Sequence, residues 1–188
     1  MRRYPALYAS LLVLTLAISG CGYNTIQTLD ERVNRAQGDI QTQLQRRADL
    51  IPNLVETVKG ITKQEDTVFI SIANARARLS GAVTAGNIPE MSAANAQLSA
   101  GLGRLLAIAE AYPELRSSEN FRTLQDQLEG TENRIAVART DYNAAVNELN
   151  AFVRRFPYNL TAKIFGMGDP REYFEAEAGA TEAPKVKF

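Results

Sequence analysis

Residues 121–156 carry apolar or small side chains at steps that alternate between three and four residues, and this repeat constrains the fold more than any other feature. The positions are Phe121, Leu124, Leu128, Thr131, Ile135, Ala138, Tyr142, Ala145, Leu149, Phe152 and Phe156. This period places all of them on one face of an α-helix, roughly 55 Å long at ~1.5 Å per residue. Because that face must be buried, the rest of the chain has to supply helices that pack against it.

The same period recurs in three earlier segments, which we interpret as helices over residues 23–48, 49–79 and 89–112. Asp49 can cap the second helix, and Pro52 is tolerated in a first turn, so the sequence favours a turn at this point. The alternative is one long helix with a kink at Pro52. We therefore predict an all-α protein, an antiparallel up-and-down four-helix bundle with long helices.

The connections and the end of the chain are predicted from glycine and proline. The run from Gly81 to Asn87 indicates the first clear loop, and Pro157 ends the long helix. The many small residues of helix three, including Gly101, let a neighbouring helix approach closely. Residues 159–165 can form one short helix, and residues 166–188 are interpreted as a C-terminal segment and loose tail in which Tyr173 and Phe174 contact the bundle.

The first 20 residues have the pattern of an export signal, and the bundle is assigned to residues 21–165. Arg2 and Arg3 precede 13 apolar or small residues at 6–18, a stretch shorter than the ~20 that span a membrane. The signal ends in Ile18-Ser19-Gly20-Cys21, which resembles the lipobox of bacterial lipoproteins.

The lipobox predicts lipidation of Cys21, the one cysteine of the chain, with fatty acids such as palmitate. Two or more acyl chains anchor a protein stably, whereas one does so only marginally. Resemblance to the lipoproteins of bacteria with two membranes implies that Gly22 after the cysteine favours the outer membrane facing the periplasm, with the cell exterior as the alternative. The alternatives are a buried core cysteine or an uncleaved signal that serves as the anchor.

Composition limits the function. The 21 basic and 21 acidic residues cancel without a basic block, which argues against nucleic acid as a partner. The sequence contains no histidine, so it has no Ser-His-Asp triad and no histidine-based zinc or di-iron motif. We expect no cofactor, no metal and no enzymatic activity. Carboxylates such as Glu110 and Glu132 are interpreted first as helix surface, with a carboxylate-based hydrolase as an alternative.

Glu65 falls on the apolar face of the predicted second helix. In one interpretation the apolar face is wide at this point and the carboxylate of Glu65 extends along it to the solvent. In the other, Glu65 is buried and pairs with an arginine such as Arg139, which would fix the register of the helices.

Several of these segments together resemble the LemA family. The resemblance is carried by the run from Arg46 to Gly60, by Tyr23-Asn24, Asn120-Phe121, Thr131-Glu132 and Arg139, and by Tyr142-Asn143. It implies a membrane-tethered four-helix bundle outside the cytoplasm. LemA proteins are often associated with envelope proteases or with TPM-domain membrane proteins, which implies a scaffold or adaptor.

Polar residues within these segments are candidates for a partner-facing patch or for contacts that fix helix register. The candidates are Asn53, Glu65, Glu132, Arg139 and Asn143, with Asn24 and Asn120 as further asparagines of the same kind. The alternative is that they cap helices or bridge neighbouring helices. A second functional hypothesis is a bundle that binds a small ligand or lipid between its helices.

Overall fold

The computed structural model describes residues 4–60 and 66–175, and of residues 4–21 it describes the backbone alone. Within these residues the chain forms six helices and no strand, which confirms the all-α class. The helices are α1 (Tyr4–Lys59), α2 (Asp66–Ala85), α3 (Ile88–Glu110), α4 (Pro113–Ser117), α5 (Glu119–Val153) and α6 (Tyr158–Ile164). The antiparallel four-helix arrangement and the domain boundaries stay predictions.

The chain forms two compact units, each assembled from segments that are distant in sequence. Unit 1 consists of Met1–Gln37 and Asp141–Arg171, and unit 2 of Gly38–Thr140 and Glu172–Phe188. Both α1 and α5 therefore contribute residues to each unit. In unit 1, the exposed Arg32 of α1 and Glu148 of α5 form an ion pair at 3.2 Å.

Helix α1 continues through Pro52, so the predicted turn at residues 49–52 is wrong. The predicted helix start at residue 23 is also wrong, because the helical backbone begins at Tyr4. Pro52 has no N–H to donate to the carbonyl oxygen of Ala48, one turn earlier. The Nε of Arg76, from α2, donates to that oxygen at 2.8 Å. A side chain from another helix thus replaces the missing backbone hydrogen bond.

The connection between α2 and α3 is shorter than the predicted loop over residues 81–87. Helix α2 continues to Ala85 because Ala82 extends its buried face. Gly86 then adopts φ 68°, the left-handed conformation that ends many helices. The side-chain Oδ1 of Asn87 accepts a hydrogen bond from the N–H of Glu90 at 3.1 Å, which caps α3. Two residues therefore connect the two helices.

Small residues in α3 allow close packing, as the sequence predicts. A Cβ atom placed on Gly101 would lie 3.0 Å from Cγ1 of Ile72, so α2 occupies the room that the glycine leaves. Gly103 has no such neighbour. The contact at Gly101 argues against a ligand at this point between the two helices.

Helix α5 confirms the predicted long helix as far as Val153, and α6 confirms the short helix predicted at 159–165. The predicted end of the long helix is wrong, because Phe156 lies beyond α5 and is 79% exposed instead of buried. Helix α4 was not predicted; Pro113 stands in its first turn, where a missing N–H costs no hydrogen bond. Phe174 is buried, and Tyr173 is 45% exposed. The hydroxyl of Ser92 in α3 donates to the carbonyl oxygen of Glu175 at 3.1 Å. The predicted tail beyond residue 175 lies outside the described residues.

The contact at Pro52 yields a test. We expect Arg76→Met to lower the free energy of unfolding by about 1–3 kcal/mol, because the carbonyl oxygen of Ala48 loses its donor inside the protein. In a Pro52→Ala background the new N–H can serve that oxygen, so the same substitution should cost less. Urea denaturation followed by circular dichroism measures both values.

Arg78→Met is the matched control, because Arg78 lies on the same helix and is exposed, and water can replace the hydrogen bond that its Nη1 donates to Oε1 of the exposed Gln97 at 3.2 Å. Its substitution should change the free energy of unfolding by less than about 0.5 kcal/mol. An equal cost of Arg76→Met with and without Pro52 would contradict this explanation of the continuous helix.

Candidate functional site

A buried guanidinium in unit 2 joins three helices. Arg47 of α1 is 5% exposed. Its Nη1 donates to Oδ1 of Asn95 at 2.7 Å, and its Nη2 donates to Oγ of Ser99 at 3.0 Å, both on α3. Nη1 also forms an ion pair with Oε2 of Glu132, on α5, at 2.7 Å. We call these four residues the Arg47 cluster.

The helix period explains why these polar side chains are buried. Arg47 lies three residues after Leu44 and four residues before Ile51, and the side chains of Leu44 and Ile51 are both fully buried. Residues at these spacings share one helix face, so Arg47 points toward the core. In α3, Asn95 lies four residues after Met91 and three before Leu98, and both of these side chains are buried. An unpaired charge in such surroundings costs several kcal/mol, which the contacts of the cluster offset.

Glu132 lies at the edge of the cluster. Its side chain is 45% exposed, but its Oε2 is buried and faces Arg47. The pair therefore combines a buried cation with a carboxylate that water reaches from one side. Water can screen the carboxylate, whereas the guanidinium depends on its protein partners. The geometry suits a contact that fixes helix register.

A second feature of unit 2 is an open groove between α1 and α5, of about 380 Å³. It is lined by Asn53, Glu56, Thr57, Asn120, Thr123 and Leu124, which we call the polar groove. Asn53 and Asn120 are both exposed. The hydroxyl of Thr57 already donates to the carbonyl oxygen of Asn53 at 2.8 Å.

The polar groove offers hydrogen-bond donors and acceptors together with one carboxylate, that of Glu56. Each of its two carboxamides can donate and accept, which matches the needs of a peptide backbone or a polar side chain.

Within residues 22–60 and 66–175, no group of three or more acidic or cysteine side chains could hold a metal ion. Over the same residues, no helix is both long enough and apolar enough to cross a bilayer.

The predicted site residues fall in different places. Glu132 belongs to the Arg47 cluster and Asn53 to the polar groove, while Arg139 and Asn143 are partly buried positions of α5. Glu65 lies outside the described residues, so its predicted pairing with Arg139 stays a prediction. For all five predicted site residues, a role in binding a partner also stays a prediction.

Sequence reasoning missed Arg47 and Ser99, and Asn95 was not recognised as a site residue. The signal that could have found Arg47 is its spacing from Leu44 and Ile51, since a polar residue within an apolar stripe needs a buried partner. On exposed helix faces, arginine often covers apolar surface with its aliphatic part while its charged end reaches water. In the sequence, Arg47 therefore resembles an ordinary surface residue at the edge of an apolar face.

Asn150 in unit 1 was also missed. It is 3% exposed, its Nδ2 donates to the carbonyl oxygen of Arg171 at 2.9 Å, and its Oδ1 accepts from the N–H of Arg171 at 2.8 Å. The side chain of Arg171 in turn pairs with Asp30 at 2.7 Å. Asn150 thus fixes the backbone that follows α6, and the spacing of apolar residues in the sequence carries no information about that contact.

The Arg47 cluster yields a test with a close control. We expect Glu132→Gln to lower the free energy of unfolding by about 1–3 kcal/mol, because the buried guanidinium loses its counterion while the side-chain shape is kept. Glu129→Gln, an exposed position one turn earlier on α5, should change it by less than about 0.5 kcal/mol. Urea denaturation measures both, and equal values would contradict a structural role for the pair.

Comparison with known proteins places these features in a family. The LemA family profile matches residues 36–188, which include both the Arg47 cluster and the polar groove. The chain is 28% identical over 182 residues to the magnetosome proteins MamQ 2 and MamQ 1 of Paramagnetospirillum magneticum. It is 26% identical over 182 residues to the magnetosome protein MamQ of Magnetospirillum gryphiswaldense. Each alignment covers 85% of this chain and 67% of the relative. Because the family profile matches well over half of the chain, the protein belongs to the LemA family.

Proposed function

We propose that this protein is a lipid-anchored, non-enzymatic adaptor of the cell envelope that holds another envelope protein at the polar groove. The observation that carries the proposal is the groove itself, where Asn53 of α1 and Asn120 of α5 line one open surface. Exposed carboxamides facing a shared groove suit recognition of a polypeptide. An envelope protease or a TPM-domain protein is the partner that the family resemblance implies.

The walls of the polar groove are fixed from within the same unit. Arg47 lies six residues before Asn53 on α1, about 9 Å along the helix axis. Glu132 lies eight residues after Leu124 on α5, about 12 Å along its axis. The ion pair at 2.7 Å between Arg47 and Glu132 therefore limits how the two walls can shift. A surface held in its binding geometry loses less conformational entropy when a partner binds.

The anchor in this proposal is Cys21. Residues 1–20 act as a lipoprotein signal peptide, and after cleavage the acylated cysteine holds the protein on the periplasmic side of the cell envelope, with the outer membrane favoured. The apolar stretch at 6–18 and the small residues before Cys21 support this assignment.

An antiparallel bundle of the long helices belongs to the same proposal, and the contacts of Arg47 with α3 and α5 support it.

Site-specific photocrosslinking in living cells tests the adaptor role. A benzoylphenylalanine residue is placed at position 53 or 120 in the polar groove. Matched controls carry it at position 70 or 137, where Ile70 and Val137 are 59% and 62% exposed on other surfaces. We expect one envelope protein to be crosslinked from both groove positions and from neither control.

The result that would contradict the adaptor role is equally clear. If neither groove position yields a crosslinked protein above the two controls, while all four variants accumulate to the level of the wild type, the polar groove is not a partner site.

A further inference from the structure

Exposed apolar side chains concentrate around α6 in unit 1. Among the described residues, four of the seven large exposed hydrophobic side chains lie within residues 156–165. They are Phe156 (79% exposed), Leu160 (52%), Ile164 (78%) and Phe165 (52%), which we call the α6 patch. Leu160 and Ile164 are four residues apart in α6, which places them on one helix face, and Phe156 lies two residues before α6 begins. Single exposed hydrophobic residues are ordinary, whereas a cluster of this kind indicates a binding surface.

Helix α6 lies against the start of the proposed mature chain. Gly22, the residue after Cys21, is buried, and a Cβ atom on it would lie 2.6 Å from Cδ1 of Tyr158. The ring of Tyr23 lies 4.7 Å from that of Phe165, centroid to centroid. In α1, Gly22 is four residues beyond Ile18, or about 6 Å along the helix axis. The α6 patch is therefore close to the point where the anchor leaves the folded protein.

Three cations lie in the segment that carries the α6 patch. Residues 149–168 contain Arg154, Arg155 and Lys163 and no acidic residue, while Glu148 and Asp169 flank the segment on either side. All three cations are exposed. Apolar side chains bordered by cations are typical of a surface that rests in the interface of a membrane, because anionic headgroups attract the cations.

From these observations we infer that the α6 patch inserts into the interface of the bilayer that holds the anchor. Phe156, Leu160 and Ile164 enter the boundary between headgroups and acyl chains, and the three cations contact anionic phospholipid. The inference rests on the proposed lipid anchor at Cys21, and it adds a second contact that fixes the orientation of unit 1 on the membrane. It commits to lipid as the occupant, and a second copy or another protein on this surface is an outcome of the test.

Because the chain has no tryptophan, a single introduced tryptophan reports its surroundings without background. The full-length protein, purified from the membrane fraction with its anchor, is incorporated into vesicles of phosphatidylethanolamine with a minority of phosphatidylglycerol. Bromine on the acyl chains quenches tryptophan that enters the bilayer. Leu160→Trp is the reporter, Ile164→Trp is a second reporter, and Val137→Trp, an exposed apolar position of α5, is the matched control. Circular dichroism checks that each variant is folded.

We expect brominated vesicles to quench tryptophan at positions 160 and 164 and to leave tryptophan at position 137 unquenched. Equal quenching at all three positions, or none at 160 and 164, would overturn the inference. Crosslinking of the α6 patch to a second copy or another protein, with no quenching by lipid, would overturn it as well.

The anchor is measured in the same preparations, so the two proposals can fail separately. Palmitate labelling of the wild type that is absent from Cys21→Ser, together with flotation of the wild type with vesicles, supports the anchor. Flotation without quenching at positions 160 and 164 overturns the α6 inference and leaves the anchor intact. A wild type that neither takes up label nor floats overturns both.

Discussion

The contact on which unit 2 depends most is the buried guanidinium of Arg47. With 5% of the residue exposed, its charge cannot rely on water, and its partners come from two other helices: Asn95 and Ser99 on α3 and Glu132 on α5. A slip of one helix by a turn, about 5.4 Å, would break these contacts. Apolar faces alone accept several registers, so we propose that the cluster selects one of them, and removing a single partner should also cost stability because it leaves the others unpaired.

The two units present surfaces of different chemistry. Unit 2 carries the polar groove, where exposed carboxamides suit a polypeptide partner. Unit 1 carries the α6 patch, where apolar side chains and cations suit a membrane surface. In our proposal the first surface holds another protein of the envelope, and the second, beside Cys21, sets how unit 1 rests on the lipid.

Much of the fold could be predicted because the spacing of apolar residues indicates which of them share a helix face. Most of α5 and the start of α3 could be predicted in this way from the sequence alone. The error at Pro52 has a physical cause, since the donor that keeps α1 continuous is Arg76, 28 residues away from Ala48. Arg47 was missed for the same reason, as its partner Asn95 lies 48 residues further along. Asn53 and Asn120 were singled out by family resemblance, and the tertiary structure shows that they share a groove.

Native-state hydrogen exchange measured by NMR tests the central claim most directly. If the Arg47 cluster fixes the register of three helices, buried amides near Arg47 in α1, near Asn95 in α3 and near Glu132 in α5 should open with one common free energy. Arg47→Met should lower that free energy by the same amount at all three places. A decrease confined to α1, with α3 and α5 unchanged, would contradict the account.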